Sequence, residues 1–154
     1  MKHRELSNLL RISRCFDSYR RRQLKDADIY PALHLVVSYV CRHPGCRQET
    51  LADELCIDKT TVAHHLSVLE DKRYIERRAD ERDGRCRRVY PTDRAEELFP
   101  MLRQTFEAFC EGLLGSLSPE DRESVVRLSE ILFQNARKMT GFNQHDDAGD
   151  RQRS

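Results

Sequence analysis

The sequence predicts a mainly α-helical fold carrying one small β-hairpin, and three observations lead there. Leu51 to Asp71 holds two short runs with apolar residues at helical spacing, only a few residues apart. Directly after them stand two β-type stretches, Tyr74 to Arg78 and Arg87 to Tyr90, joined by a connection that contains Asp83-Gly84, a strong turn signal. Apolar stripes at a 3.6-residue period flank this unit on both sides. Two short adjoining helices followed by a hairpin make a winged helix-turn-helix, with the hairpin as the wing and the terminal helices left over for dimerisation.

Residues 5–25 place Leu6, Leu9, Leu10, Ser13, Phe16, Arg20 and Leu24 at helical spacing and predict a first helix. Arg20, Arg21 and Arg22 complement the negative pole at its end, and such a run could also touch a DNA backbone. A second helix is expected over 31–42, opened by Pro31, with Leu33, Val36, Val37, Val40 and Cys41 inward and His43-Pro44-Gly45 as its stop. Gln48 to Leu55 reads as a short helix with Leu51 and Leu55 inward, and Cys56-Ile57 as the turn after it. Asp58, a favoured N-cap residue, opens the next helix, whose apolar stripe is Val62, Leu66 and Leu69. The opposite face then carries Thr60, Thr61, His64, Ser67 and Val68, with Lys59 in the first turn. Beyond the hairpin, Thr92 is expected to cap a long helix to about Leu117, with a stripe of Leu98, Met101, Leu102, Phe106, Phe109, Leu113 and Leu117. Ser118-Pro119 opens a last helix with Val125, Leu128, Leu132, Ala136 and Met139 as its stripe. Residues 141–154 lack apolar periodicity and read as a disordered tail.

A helix seated in a major groove needs hydroxyls and ring nitrogens that reach base edges, its first turn nearest the DNA. Lys59, Thr60, Thr61, His64 and Ser67 meet that need, while His65 lies nearer the apolar edge, where half-buried packing accounts for it as well as base reading does. Between Lys72 and Arg88 eight Lys or Arg face four Asp or Glu, a net +4 in a chain whose total is +1. The positive charge is concentrated where a wing would meet phosphates, and the wing candidates are Arg82, Asp83, Arg85 and Arg87.

The remaining composition excludes more than it assigns. At 154 residues, with 34% charged residues and no Trp, the chain suits one domain plus an appended dimerisation element. No apolar run is long enough to cross a membrane and no signal-peptide pattern is present, so a cytoplasmic protein is expected. The six cysteines have no repeating spacing and read as reduced thiols. Cys41, His43 and Cys46 are possible zinc ligands, but helix termination at Pro44-Gly45 explains them, and no metal is expected. There is no glycine-rich phosphate loop, nucleophile elbow or acid pair in a recognisable context, so neither enzyme activity nor a cofactor is expected.

Leu51 to Thr92 resembles the DNA-binding core of the MarR family of bacterial transcriptional regulators. That pattern runs LA-x-x-L-x-(I/L)-D-K-(S/T)-T-V, then LE-x-K-G-x-I-x-R, then D-x-x-D-x-R, then a Thr opening the next helix. Here it stands as Leu51-Ala52, Leu55, Ile57 to Val62, Leu69-Glu70, Lys72, Ile75, Arg77, Asp80, Asp83, Arg85 and Thr92. The resemblance implies that Arg85 enters the minor groove, held by a wing carboxylate such as Asp83. It also implies a two-fold dimer joined through the terminal helices, in line with apolar stripes wider than a winged core needs. The division that follows is residues 1–30 for dimerisation, 31–92 for DNA binding, 93–140 for dimerisation and 141–154 as tail, with Leu6, Leu10, Phe109, Leu113, Leu128 and Leu132 as dimer contacts.

Such a homodimer would act on double-stranded DNA at an inverted repeat, as a repressor released by an effector. The resemblance implies a small aromatic or phenolic acid in a cleft between dimer helices and DNA-binding lobe; Arg11, Tyr30, His34 and Tyr39 could line it, and each is equally consistent with packing. Cys15 on the first helix is similar to the thiol of the peroxide-sensing branch, with Arg14 and Arg20 placed to favour a thiolate, though packing explains an isolated Cys as well. Two departures stand out: His64 where family members commonly carry Arg, and Arg73 where they carry Gly, so that Arg73 either adopts a left-handed backbone or the helix ends differently. The alternative from another class is a winged-helix module for protein contact, its basic wing meeting an acidic partner.

Overall fold

The structure is a computed structural model that describes residues 4–84 and 86–142, with side chains from Ser7 onward. The side chain of Leu6, the wing residue Arg85 and the tail from residue 143 therefore lie outside the described residues. In chain order the elements are α1 Arg4–Gln23, α2 Pro31–Arg42, β1 Cys46–Arg47, α3 Gln48–Glu54, α4 Lys59–Asp71, β2 Ile75–Ala79, β3 Arg87–Pro91, α5 Asp93–Leu114 and α6 Pro119–Thr140. The fold is mainly helical with a small antiparallel sheet, as the periodicities predict.

The core is built around α2, the helix richest in branched apolar residues. Leu33, Val36, Val37 and Val40 are fully buried, and they meet Leu51 of α3, Val62, Leu66 and Leu69 of α4, Val89 of β3 and Ala95 and Leu102 of α5. This cluster fixes the inward faces of both helices of the helix-turn-helix, and so decides by default which side chains of α4 point to solvent. Val68 is the exception: expected on the exposed face, it is half-buried and packs on the core, because the α4 stripe is wider than Val62, Leu66 and Leu69 alone.

The sheet holds a strand that the sequence did not announce. Cys46 and Arg47 pair with Val89 and Arg88, so the order is β1-β3-β2. Two residues are too few to show alternation. Gly45 starts the pairing at φ +81, its N–H donating to the Val89 carbonyl at 2.8 Å, and a Cβ there would stand 3.0 Å from the Tyr90 hydroxyl. On the other side Arg77 lies opposite Val89 and Ala79 opposite Arg87.

Both helices of the helix-turn-helix end in the same way. After α3, the N–H of Cys56 donates to Asp53 and that of Ile57 to Ala52; after α4, the N–H of Arg73 donates to Glu70 and that of Tyr74 to Leu69. These are Schellman closures, whose left-handed position is usually glycine. Here it is held by Cys56 at φ 51 and Arg73 at φ 59, so of the two backbones open to Arg73 the chain takes the left-handed one. The closure also takes Tyr74 out of the strand, which begins at Ile75.

Two other expectations need correction. Thr92 stands at the N-cap of α5, yet its hydroxyl makes no cap bond and donates instead toward the carbonyls of Arg73 (2.7 Å) and Tyr74 (3.0 Å), securing the helix to the α4–β2 turn. The helix α5 ends at Leu114, short of Leu117, since Gly112 and Gly115 weaken its last turn. It also contains Pro100, which has no N–H for the Glu96 carbonyl.

Candidate nucleic-acid interface

The reading face is set by the capping of α4. Asp58 accepts from the Thr61 N–H at 2.9 Å and from the Thr61 hydroxyl at 2.5 Å, and these bonds hold its carboxyl below its ordinary pKa. Thr61 is therefore turned back on the cap, its hydroxyl proton already used. Lys59, Thr60, His64 and Ser67 are exposed and share the outward face, with Lys59 3.7 Å from Glu49. His65 is buried against the Tyr30 ring, centroids 6.0 Å apart, and has no part in that face.

The wing is anchored by a carboxylate, Asp80, which the sequence reading quoted only as part of the motif. Asp80 is 5% exposed; it accepts from Arg88 Nε at 2.7 Å and from the Arg82 N–H at 2.9 Å, with Arg47 at 3.6 Å. Arg88 also donates to the Gly45 carbonyl at 2.8 Å, so one arginine ties the wing to the α2–β1 turn. The Arg82 N–H, Arg88 and Arg47 together draw the Asp80 pKa below its ordinary value. Asp83, the carboxylate expected to brace Arg85, is exposed and accepts from the Cys86 thiol at 3.4 Å; Arg85 itself lies outside the described residues. Arg82 and Arg87 are exposed. Arg47, Gln48, Glu49, Lys59, Cys86 and Arg87 line one shallow depression, which joins the start of α4 to the wing. Arg47 was not singled out from the sequence because only the unannounced β1 brings it there.

A cavity of about 370 Å³ lies where α1, α2 and α5 meet. Its apolar walls are Phe16, Leu24, Leu35, Phe99, Leu102 and Phe106, with Ser38, Arg42, Arg103 and Glu107 also on the lining. Two polar side chains are sunk into it. Arg20, 5% exposed, is paired with Asp17 and lies 4.4 Å over the Phe16 ring, while its Nε and Nη1 have no hydrogen-bond partner. His34, 3% exposed, has neither ring nitrogen in a well-formed hydrogen bond, although the Ile29 backbone lies near; burial and the Arg20 charge push its pKa down to about 4. Of the four residues offered for an effector cleft, only His34 lines this cavity. Tyr30 borders a neighbouring depression, Arg11 is exposed on α1, and Tyr39 is buried in a stack on His43 at 4.4 Å. Arg20, read from sequence as part of a helix-end run, is the residue that turned inward, because the stripe position it occupies faces α2 and α5.

The other candidates are dispersed. Cys15 is exposed on α1, and Arg20, expected to favour its thiolate, is paired with Asp17. Cys41 is half-buried, and desolvation pushes its thiol up to about 12. Leu10, Leu113, Leu128 and Leu132 are exposed, whereas Phe109 packs within the chain, 4.8 Å from Phe16 and 5.5 Å from Tyr19.

An exposed polar helix face beside an arginine-rich, carboxylate-braced hairpin defines a DNA-binding protein of the winged helix-turn-helix class. Residues 28–85 match the model of the MarR family. The HTH-type transcriptional regulator YybA of Bacillus subtilis is 29% identical over 117 residues, 76% of this chain and 78% of its own. A MarR transcriptional regulator from Methanosarcina mazei superposes with a TM-score of 0.80 at 28% identity, over 90% of this chain and 99% of that one. The S. aureus MepR–DNA complex superposes with a TM-score of 0.74 at 26% identity, over 83% and 96%. The chain is similar to MarR-family transcriptional regulators and shares their winged-helix fold.

Proposed function

We propose that the protein is a cytoplasmic homodimeric repressor that binds an inverted repeat in double-stranded DNA and is released by a small aromatic acid. The observation that carries the two-copy reading is the apolar surface left in water on the terminal helices: Leu10 is 64% exposed, Leu113 44%, Leu128 48% and Leu132 47%. A second copy of the same surface is the economical cover. Residues 1–30 and 93–140 then join the copies and 31–92 carries the DNA contacts. Phe109 supports that interface from beneath by bracing α1 on α5. Lys59, Thr60, His64 and Ser67 enter the major groove, with Thr61 fixing the helix start. Arg82 and Arg87 take phosphates, and Arg85 the minor groove. That S. aureus MepR was solved on DNA supports this docking.

The cavity supports the effector assignment, since its walls suit one ring, and the unpaired Nε and Nη1 of Arg20 suit a carboxylate next to a neutral His34. Sedimentation at micromolar protein should give a dimer, and footprinting should protect two half-sites about one helical turn apart. A stable folded monomer sinks the two-copy reading. A panel of aromatic acids should weaken protection, and Arg20→Met should abolish that response while leaving DNA affinity intact. Replacing all six cysteines with Ser or Ala should leave release unchanged; loss of release with repression kept would shift the effector to an oxidant.

A further inference from the structure

Along α6 the apolar side chains Val125, Leu128, Ile131, Leu132, Phe133 and Met139 are all exposed, yet Arg137 is 5% exposed. A guanidinium can leave water only where partners replace its hydration. Two of those partners belong to the helix-turn-helix: Arg137 Nη2 donates to the Asp53 carbonyl and to Glu54 Oε1, both at 3.4 Å, with the guanidinium carbon 5.4 Å from the Phe133 ring of its own helix. The Asp53 carbonyl is the acceptor on which the α3–α4 turn closes, taking the Cys56 N–H at 3.3 Å and the Cys56 thiol at 3.6 Å. The turn is held in a left-handed backbone by a non-glycine residue, Cys56 at φ 51. A cation at this point also complements the negative end of α3.

We infer that Arg137 is a positioning residue, fastening the end of α6 to the turn of the helix-turn-helix so that the seating of α6 helps set the pose of α4. The terminal helices join the reading lobe covalently at two places, α1 into α2 and β3 into α5 through Thr92, and neither lies at the α3–α4 turn. Arg137 adds an attachment at that turn, on α3, and so ties it to α6 directly. The coupling rests on the two-copy reading above, since a partner chain is what seats α6.

The test uses the full chain with Arg137→Met, which keeps length against Phe133 and loses the charge, Arg137→Lys, which keeps the charge, and Lys138→Met, an exposed neighbour, as control. Native hydrogen exchange comes first. Arg137→Met should speed exchange of the Leu55, Cys56 and Ile57 amides, Arg137→Lys less, and Lys138→Met not at all. The DNA probe is a duplex enriched from a random-sequence pool by the parent protein, together with versions whose half-sites are moved by one or two base pairs. Arg137→Met should bind the enriched duplex about tenfold more weakly, a coupling of ordinary size, and discriminate less among spacings. Affinity for random duplex should not change. Unchanged exchange and an unchanged spacing profile in a folded, dimeric Arg137→Met would overturn the inference. A monomeric parent in sedimentation would overturn the coupling by a different route, through failure of the two-copy reading. If Arg137→Met does not fold, the same measurements on Arg137→Lys and Glu54→Gln decide.

Discussion

Cys56 and Arg73 occupy equivalent points of two consecutive helices, each in a backbone that costs an L-residue about 1 kcal/mol or more. Arg73 is exposed, so Arg73→Gly should stabilise the protein by about 0.5–1 kcal/mol, read as a higher midpoint in thermal or denaturant unfolding. An unchanged or lower midpoint would mean that the Arg side chain does more than tolerate its place. His34 gives a pH-dependent counterpart. Its pKa is about 4 in the folded chain against 6.5 ordinarily, so the unfolded state binds the proton more readily and stability falls as pH drops from about 6.5 toward 4. The full loss amounts to about 3 kcal/mol, and His34→Gln should flatten that part of the stability profile. At the reading face, His64→Ala should weaken specific binding by about 1–3 kcal/mol and random-duplex binding little, whereas Arg87→Ala should weaken both alike. Equal losses on both duplexes for His64→Ala would remove it from base reading.

Among the elements, the wing is the one whose shape depends on a single buried group. Asp80 gathers the Arg82 N–H, Arg88 and Arg47, and a neutral amide would keep the volume while discarding the charge on which both arginines rely. Asp80→Asn should therefore loosen the hairpin, speeding amide exchange in β2 and β3, and lower DNA affinity without changing the oligomeric state. Since the folded carboxyl is held below its ordinary value, its contribution is present above about pH 4 and disappears as pH falls further. The mutant should show a shallower acid transition there. The helices and the hairpin were legible in the sequence because each repeats its period several times, and the outward residues of α4, Val68 apart, followed from its stripe. The two-residue β1 has no period to read, and Asp80 was quoted as part of a motif without its burial being visible. The inward turn of Arg20 and Arg137 was hidden for a different reason. A charged residue on a helix is solvated by default, and only tertiary neighbours from α2, α3 and α5 reverse that. Tyr39 and Arg11 failed as cavity residues on the same count, since helical phase fixes a face and not what lies opposite it.

For the molecule as a whole, the proposed control depends on how faithfully α5 carries displacement between its two ends. Pro100 stands early in that helix, exposed, with the cavity residues Phe99, Leu102 and Arg103 on either side of it. Pro100→Ala should restore one backbone hydrogen bond and stabilise the fold by about 1–3 kcal/mol, while blunting release by aromatic acids; a stabilised variant that is released as readily as the parent would separate the proline from regulation. The reason is mechanical. From Pro100 to Leu114 the helix is a lever arm of about 21 Å, and a bend of about 10° at its flexure displaces the far end by about 4 Å. Two such arms in a symmetric pair would move in opposite senses, so the error in separation between the heads doubles. A groove-to-groove distance of about 34 Å leaves little tolerance for that. In the proposed dimer, one missing N–H would set the gearing between a ligand-sized adjustment and a DNA-sized one.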